Sequence, residues 1–328
     1  MIRVGLLGAS AIAPTAIMEP ASRRSDVIVQ AVVARDRVRA EQYALQHSIA
    51  QVADNYAAML ARDDIDLIYV SLPASEHAAW SIAALRAGKA VLCEKPLAMS
   101  GDEVRQIYAA ASAARRPVWE AFHYGFHPAM QQVRTLCRDR AFGDLLHLEA
   151  RFDVAIARTA AEIRWRRELG GGALMDLGCY AVHAARTLLG DPLAVETSQA
   201  TFVDGVDARL EAALRSRDGV TVKLSCSMID AEFACNLTLH GSRGELSFDG
   251  FVCPQWEGRL QLTIDGRTEQ PPIDPRPTYD WQLDHVVQQL QSGVQTSSET
   301  AADSYENMRA IETILRAAQD ATGRVNSV

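Results

Sequence analysis

The run Ala90-Val91-Leu92-Cys93 ends in Glu94-Lys95-Pro96, so a charged pair closes a short apolar segment. Such a run between turn residues reads as a buried strand, and the Lys95 amine then stands at its carboxyl end. Ile2–Leu7 has the same character and runs into Gly8-Ala9-Ser10-Ala11-Ile12-Ala13. That segment follows the G-x-G-x-x-G/A pattern of dinucleotide-binding turns, with Ser10 in place of the middle glycine. Gly8 allows the tight turn and Ala13 permits close helix–strand packing, while Ser10 must still let the backbone approach a pyrophosphate at a helix N-terminus. Alone, the pattern fits an ordinary strand–helix turn about as well. Ligands of open parallel sheets bind at the carboxyl ends of the strands. A lysine there, near the positive ring of an oxidised nicotinamide, has its pKa lowered and can move protons near neutral pH. The chemistry implied is hydride transfer coupled to a proton. Asp176 and Tyr180 fall four residues apart in an expected helix, Leu174–Leu189, and so share one face, with His183 three further on.

The elements that must position these groups fall into two sets. Strand and helix alternate through the first third: strands Ile2–Leu7, Val27–Val33, Ile65–Leu72, Ala90–Cys93 and Val118–Phe122; helices Ala13–Arg23, Arg37–His47, Asn55–Arg62, Ser75–Ala87 and Ser100–Ala114. Pro14 is tolerated in a first turn, Ser75 suits a cap and Gly88 a stop. Such alternation gives a doubly wound parallel sheet with right-handed crossovers. After about residue 125 the character changes. A helix at Pro128–Arg140, a strand near Leu145–Val154 and a glycine-rich loop precede alternating strands Val195–Val203, Ala208–Arg215, Val220–Met228, Asn236–His240, Glu245–Phe248 and Arg259–Ile264. Asp218-Gly219 and Ser242-Arg243-Gly244 supply hairpin turns, and helices Tyr279–Gln291 and Ala301–Ala321 close the chain. The expected fold class is α/β: a Rossmann domain over 1–122, then an α+β domain over 123–328 with a large, mostly antiparallel sheet.

Composition excludes several classes. At 328 residues and 48% apolar content, two packed domains are expected. The net charge of -8, without a dense Lys/Arg cluster, argues against a nucleic-acid partner. No apolar run reaches the about 18 residues of a membrane span. No charged leader or apolar signal core stands ahead of Ile2, so a cytoplasmic location is expected. The six cysteines (Cys93, Cys137, Cys179, Cys226, Cys235, Cys253) lack CxxC spacing and read as reduced core residues, and no cluster has metal-ligand spacing.

The tip of the second strand bears on cofactor choice. NAD enzymes end that strand with Asp or Glu on the ribose hydroxyls. Here it reads Ala34-Arg35-Asp36-Arg37, small and then cationic, which suits a 2′-phosphate. Asp36 comes one residue late and fits a helix cap. The charge pattern favours NADP(H), with NAD(H) as the alternative.

With these pieces placed, the chain resembles the glucose–fructose oxidoreductase/inositol dehydrogenase (Gfo/Idh/MocA) family over nearly its whole length. The resemblance runs through the glycine turn, Ile65-Asp66-Leu67-Ile68-Tyr69-Val70, Pro73 with His77, and Glu94-Lys95-Pro96. It continues through Glu120-Ala121-Phe122, the segment from Gly170-Gly171-Gly172 to Asp176-Leu177-Gly178-Cys179-Tyr180, and Leu239-His240-Gly241-Ser242-Arg243-Gly244. The glycine turn with Ile12-Ala13-Pro14, together with the Asp176–Tyr180 segment, is similar to the dimeric dihydrodiol dehydrogenases and the NADP-dependent D-xylose 1-dehydrogenases. Those relatives place Tyr where most of the family has His.

The resemblance implies roles. It places the Asp176/Tyr180 face opposite Lys95 across a substrate pocket. Tyr180 takes the proton of the substrate hydroxyl. An unperturbed tyrosine pKa of about 10 is too high for an efficient base, and a neighbouring ammonium lowers it. The assignment with Lys95 as proton carrier and Tyr180 orienting the substrate stands equally, and Asp176 either orients the hydroxyl or holds Lys95. Gly8, Ala9, Ser10, Ile12, Arg35, Ser71, Leu72, Pro73, His77, Glu94 and Lys95 are expected at the cofactor, with Trp165 and Arg166 over its nicotinamide end. Phe122, His123, Tyr124, Phe152, Asp176, Tyr180, His183 and Tyr279 are expected at the substrate. Core packing is the alternative for Tyr180, Phe152 and His183, and a flexible turn for Gly170-Gly171-Gly172. The relatives carry Met or Trp where this chain has His123, and Arg where it has Gly125. An imidazole at 123 adds a group that titrates near neutrality.

The activity implied is NADP(H)-dependent oxidoreduction of a sugar, cyclic polyol or cyclic diol. Alternatives are a keto-sugar reductase, a redox-assisted glycoside-cleaving enzyme on the same site, and a non-catalytic NAD(P)-sensing regulator. A homodimer, or a tetramer of dimers, through the C-terminal sheet is the implied assembly.

Overall fold

A computed structural model describes residues 1–190, 192–294 and 297–325. The chain divides into two units, Met1–Phe122 with Tyr279–Tyr305, and His123–Thr278 with Glu306–Val328.

In the first unit, β1 (Ile2–Leu7), β2 (Val27–Val33), β3 (Gln51–Val52), β4 (Leu67–Val70), β5 (Ala90–Cys93) and β6 (Val118–Glu120) form one parallel sheet in the order β3-β2-β1-β4-β5-β6. β4 and β5 are buried at every position, which is why they read as unbroken apolar runs rather than alternating ones. The strand order reverses between β1 and β4, and the carboxyl ends at that reversal are where open α/β sheets bind ligands. The crossover helices are α1 (Glu19–Ser22), α2 (Arg37–Gln46), α3 (Tyr56–Leu60), α4 (Ala74–Arg86) and α5 (Gly101–Ala114). Two local expectations are corrected. Residues 14–18 are a π-helical turn in which Glu19 N–H donates to Pro14 O, and Pro20 has no N–H with which to continue an α-ladder. Helix α4 begins at Ala74 behind Pro73, with no side-chain cap, so Ser75 is not the cap its type suggests.

The second unit opens with a 3₁₀ turn at His123–Phe126, α6 (Pro128–Arg138) and β7 (Leu145–Asp153). A π-helical turn, Leu174–Gly178, leads into α7 (Cys179–Leu189). Then come β8 (Ala194–Val203), β9 (Val206–Arg215), β10 (Thr221–Ser227), β11 (Ala234–Gly241), β12 (Gly244–Asp249), β13 (Arg259–Ile264) and β14 (Arg267–Glu269). They join β7 in the order β14-β13-β12-β11-β7-β10-β9-β8, antiparallel except where β10 meets β7. Alternation sorts the faces: Leu210, Ala212 and Leu214 are buried while Arg209, Glu211 and Arg215 are exposed. Asp204-Gly205 and Asp265-Gly266, all at positive φ, make tight two-residue hairpin turns.

The closing helices are α8 (Thr278–Gln291) and α9 (Ser298–Val325). The sequence places everything after residue 122 in the second domain, whereas Tyr279–Tyr305 group with the first. The cause is a helical stripe. Tyr279, Leu283, Val286 and Val287 pack into the core beside Leu6, Ile17, Tyr69 and Leu92. Arg23 clamps Asp280 with two bonds, at 2.9 and 2.7 Å. Among the described residues, no helix is long and apolar enough to cross a membrane, and no group of three or more His, Cys, Asp or Glu is arranged to hold a metal ion.

Candidate active site

In the first unit the turn after β1 approaches the turn after β4 closely. Gly8 lies at φ +110°, and a Cβ there would sit 2.9 Å from the Ser71 carbonyl oxygen, so only glycine fits without strain. Ser10 Oγ accepts from Ala13 N–H at 3.3 Å and donates to Ser71 Oγ at 2.9 Å. Its side chain is thereby tied down, which is how serine serves where the pattern expects glycine. Helix α2 backs the turn: Arg39 donates to Ala9 O and Tyr43 OH to Ser10 O, both at 2.8 Å. Neither residue was singled out from sequence. Ala9 is buried, while Ile12 and the Arg35 tip are exposed. The Asp36 carboxylate caps α2, accepting from Val38 N–H and Arg39 N–H at 2.9 and 3.2 Å, and Arg37 pairs with Glu41 and Asp54. A bare glycine turn at the switch point, beside a strand tip whose carboxylate is occupied as a cap, fits a dinucleotide bearing a 2′-phosphate.

The loop carrying Ser71, Leu72 and Pro73 is braced by His77. Its Nε2 lies 2.8 Å from Leu72 O and its Nδ1 2.8 Å from Pro96 O. Burial, and then the charge of Lys95, hold the imidazole pKa below its usual value. Lys95 is half-buried at the end of β5, before a cis bond to Pro96. Its neighbour Glu94 accepts from Tyr69 OH at 2.6 Å. Leu97 N–H donates to Glu120 at 2.8 Å, so the two acidic residues flanking Lys95's loop hold it in place. Phe122 ends this unit's first segment, and Tyr279 lies in its core.

In the second unit the helix bearing Asp176 and Tyr180 starts on a buried carboxylate. Asp207 accepts from Leu174 N–H at 2.7 Å, and burial pushes its pKa up to about 6. Gly172, at φ +126°, leaves room for the same carboxylate, whose oxygen lies where a Cβ would stand. That contact explains the last glycine of the run. Asp176 carries an ion pair from Arg164 Nε at 2.6 Å. Trp165 is buried. It donates to Ile156 O at 3.3 Å and lies beneath Arg158, while exposed Arg166 pairs with Glu168.

Tyr180 sits in an aromatic cluster. The rings of His123, Tyr124 and Phe152 meet it edge-on at 5.8, 5.8 and 5.7 Å. Its hydroxyl lies 3.2 Å from His123 Nε2, and His123 Nδ1 lies 2.7 Å from Thr278 Oγ1. Behind it, the Tyr124 hydroxyl meets His183 Nδ1 at 2.6 Å. Phe233, exposed beside Phe152, and buried Phe251, beside Tyr124, extend the cluster. Arg134 of α6 stands 3.2 Å from where a Gly125 Cβ would lie. Sequence reasoning missed Asp207, Arg164 and Thr278. Only Thr278 carried a signal, as a hydroxyl residue opening a helix.

Comparison with known proteins shows the family. Residues 2–122 match the model of an oxidoreductase family with an NAD-binding Rossmann fold, and residues 130–247 match the GFO/IDH/MocA C-terminal domain. The chain belongs to the Gfo/Idh/MocA family and is an NAD(P)-dependent oxidoreductase. It is 31% identical to D-xylose 1-dehydrogenase (NADP(+)) 2 of Haloferax volcanii over 96% of this chain and 97% of the relative. It is 28% identical to trans-1,2-dihydrobenzene-1,2-diol dehydrogenase of Sus scrofa, over 87% and 89% of the two chains. A crystal structure of a 3-ketoreductase of Actinomadura kijaniata, in complex with NADP and TDP-benzene, superposes with a TM-score of 0.88 at 27% identity, covering 96% of this chain and 97% of that one.

Proposed function

We propose that the chain catalyses NADP(H)-dependent interconversion of a secondary alcohol and its carbonyl on a sugar, cyclic polyol or cyclic diol. The observation that carries this reading is Tyr180: a phenol bonded to an imidazole and framed by Tyr124 and Phe152. Such a wall suits the apolar face of a ring, with the phenol addressing its hydroxyl. Gly8, Ala9, Ser10, Ile12, Ser71, Leu72, Pro73 and His77 hold the cofactor, Arg35 meets its 2′-phosphate, and Glu94, Trp165 and Arg166 attend its nicotinamide end. When bound, the cofactor supplies the hydride acceptor or donor. Tyr180 exchanges the proton at the substrate oxygen, Lys95 favours the charged form of that phenol, and Asp176 orients the hydroxyl. Phe122, His183 and Tyr279 complete the substrate surround.

The NADP-dependent sugar dehydrogenase relative and the NADP-bound neighbour support the cofactor choice. The reductive direction has its own support. The neighbour of Actinomadura kijaniata is a 3-ketoreductase. We place the enzyme in the cytoplasm, acting as a homodimer or a dimer-built tetramer. The exposed sheet face, with Arg209, Glu211, Lys223 and Glu149 on neighbouring strands, offers charges of both signs to a second copy, and light scattering of a stable monomer would refute that assembly. The test of function is a panel of aldoses, inositols and cyclic diols with NADP⁺ and NAD⁺, and of keto-sugars with the reduced forms. Turnover on at least one, faster with the phosphorylated cofactor, is expected. Silence across the panel would overturn the reading.

A further inference from the structure

His123 is expected from sequence to face the substrate. In the structure its imidazole is buried, with Nδ1 at Thr278 Oγ1 and Nε2 at the Tyr180 hydroxyl. A neutral imidazole has one N–H and one bare nitrogen, and two hydroxyls compete for them. A phenol, with an unperturbed pKa of about 10, is a stronger acid than an alkyl alcohol and the better donor. An alkyl hydroxyl oxygen, whose lone pairs are not shared with a ring, is the better acceptor. The favoured arrangement therefore has Nδ1–H donating to Thr278 and Tyr180 O–H donating to Nε2. Thr278 is fully buried, and Tyr124 and Phe152 close on the Tyr180 ring from the sides, so the pair is held in register.

We infer that His123 is a positioning residue for Tyr180, an inference that rests on the reading in which Tyr180 handles the substrate proton. By taking the phenol's hydrogen bond, Nε2 turns the lone pairs of Tyr180 Oη toward a substrate hydroxyl. In the oxidising direction the substrate O–H bond breaks and an O–H bond forms at Tyr180. The phenol's original proton passes to Nε2, giving an imidazolium that keeps its Nδ1–H bond to Thr278. The C–H electron pair leaves with the hydride for the oxidised nicotinamide of the family reaction. The dyad sets the resting phenol as a proton acceptor and so favours alcohol oxidation.

The first test needs no cofactor or substrate. In protein labelled with ¹⁵N-histidine, a two-bond ¹H–¹⁵N correlation spectrum should show His123 protonated at Nδ1 and bare at Nε2, its signal assigned by its loss in His123→Gln. A ring protonated at Nε2 instead would overturn the inference. The second test is kinetic. His123→Met, which cannot accept the phenol's bond, should lower kcat about tenfold with the cofactor KM unchanged, as expected for one lost hydrogen bond. His123→Gln, which keeps an acceptor oxygen, should recover most of that loss. A merely structural role predicts no such rescue, and equal rates in wild type and His123→Met would sink the proposal. Tyr180→Phe separates the two levels: if it abolishes turnover while His123→Met does not slow it, the reading of Tyr180 stands and this inference fails. If Tyr180→Phe turns over normally, the parent reading fails, and the tautomer spectrum still decides whether the dyad exists.

Discussion

Replacing Asp207 by Asn isolates a buried charge at the start of the helix that carries Asp176 and Tyr180. The carboxylate accepts from Leu174 N–H and fills the space beside Gly172, and burial raises its pKa from 3.8 to about 6. The native state therefore holds this proton more tightly than the unfolded chain does. The stability the group contributes is fully present below about 3.8 and is lost as pH rises to about 6. At about 1.4 kcal/mol per pH unit, that interval amounts to about 3 kcal/mol. Asn keeps an oxygen for Leu174 N–H and does not titrate. Urea denaturation of both proteins between about pH 4 and pH 8, followed by tryptophan fluorescence, should show the variant gaining on the wild type by about 3 kcal/mol across the window and by nothing further above it. A difference flat with pH, or a variant that falls behind as pH rises, would refute the reasoning, because either would mean the carboxylate is not held at a raised pKa. Carbon-13 titration of the Asp207 carboxyl reads the same quantity directly.

Other outcomes follow from the two units. Gly8→Val forces a side chain onto the Ser71 carbonyl at φ +110° and should abolish NADPH binding in a fluorescence titration, with a stability cost of about 1–3 kcal/mol. Arg35→Ala should weaken NADP⁺ binding about tenfold and leave NAD⁺ unchanged, since one charge-assisted contact to a phosphate is lost. Equal effects on both cofactors would remove Arg35 from the 2′-phosphate. Gly172→Ala meets the Asp207 carboxylate at φ +126° and should destabilise by about 1–3 kcal/mol in chemical denaturation, whereas an unchanged midpoint would show that the loop relaxes.

Both sheets were legible in the sequence, for different reasons. Strands buried on both faces leave runs such as Leu67-Ile68-Tyr69-Val70, and a sheet open on one face leaves alternation such as Arg209-Leu210-Glu211-Ala212. Asp265-Gly266 was an equally plain hairpin signal, and the short β14 behind it went unread because Arg267–Glu269 has no apolar residue. The stripe Tyr279, Leu283, Val286, Val287 marks an amphipathic helix but not which sheet it covers, so its return to the first unit was hidden. The site divides in the same way. Local motifs around Gly8 and Lys95 pointed to their positions, and the i, i+4 spacing pointed to Tyr180. Contacts between residues distant in sequence were invisible: Asp207 beneath Gly172, Arg164 on Asp176, and Thr278 behind His123, 155 residues away.

The role proposed for the Lys95 amine and the Tyr180 phenol is proton transfer in a nicotinamide-dependent reaction. Its most direct test compares wild type with Lys95→Met and Tyr180→Phe, following reduced-nicotinamide absorbance on the best substrate of the panel alongside an NADPH-binding titration. Turnover should fall by about 10²-fold or more in each variant, with cofactor affinity retained. Rates near wild type in both would contradict it.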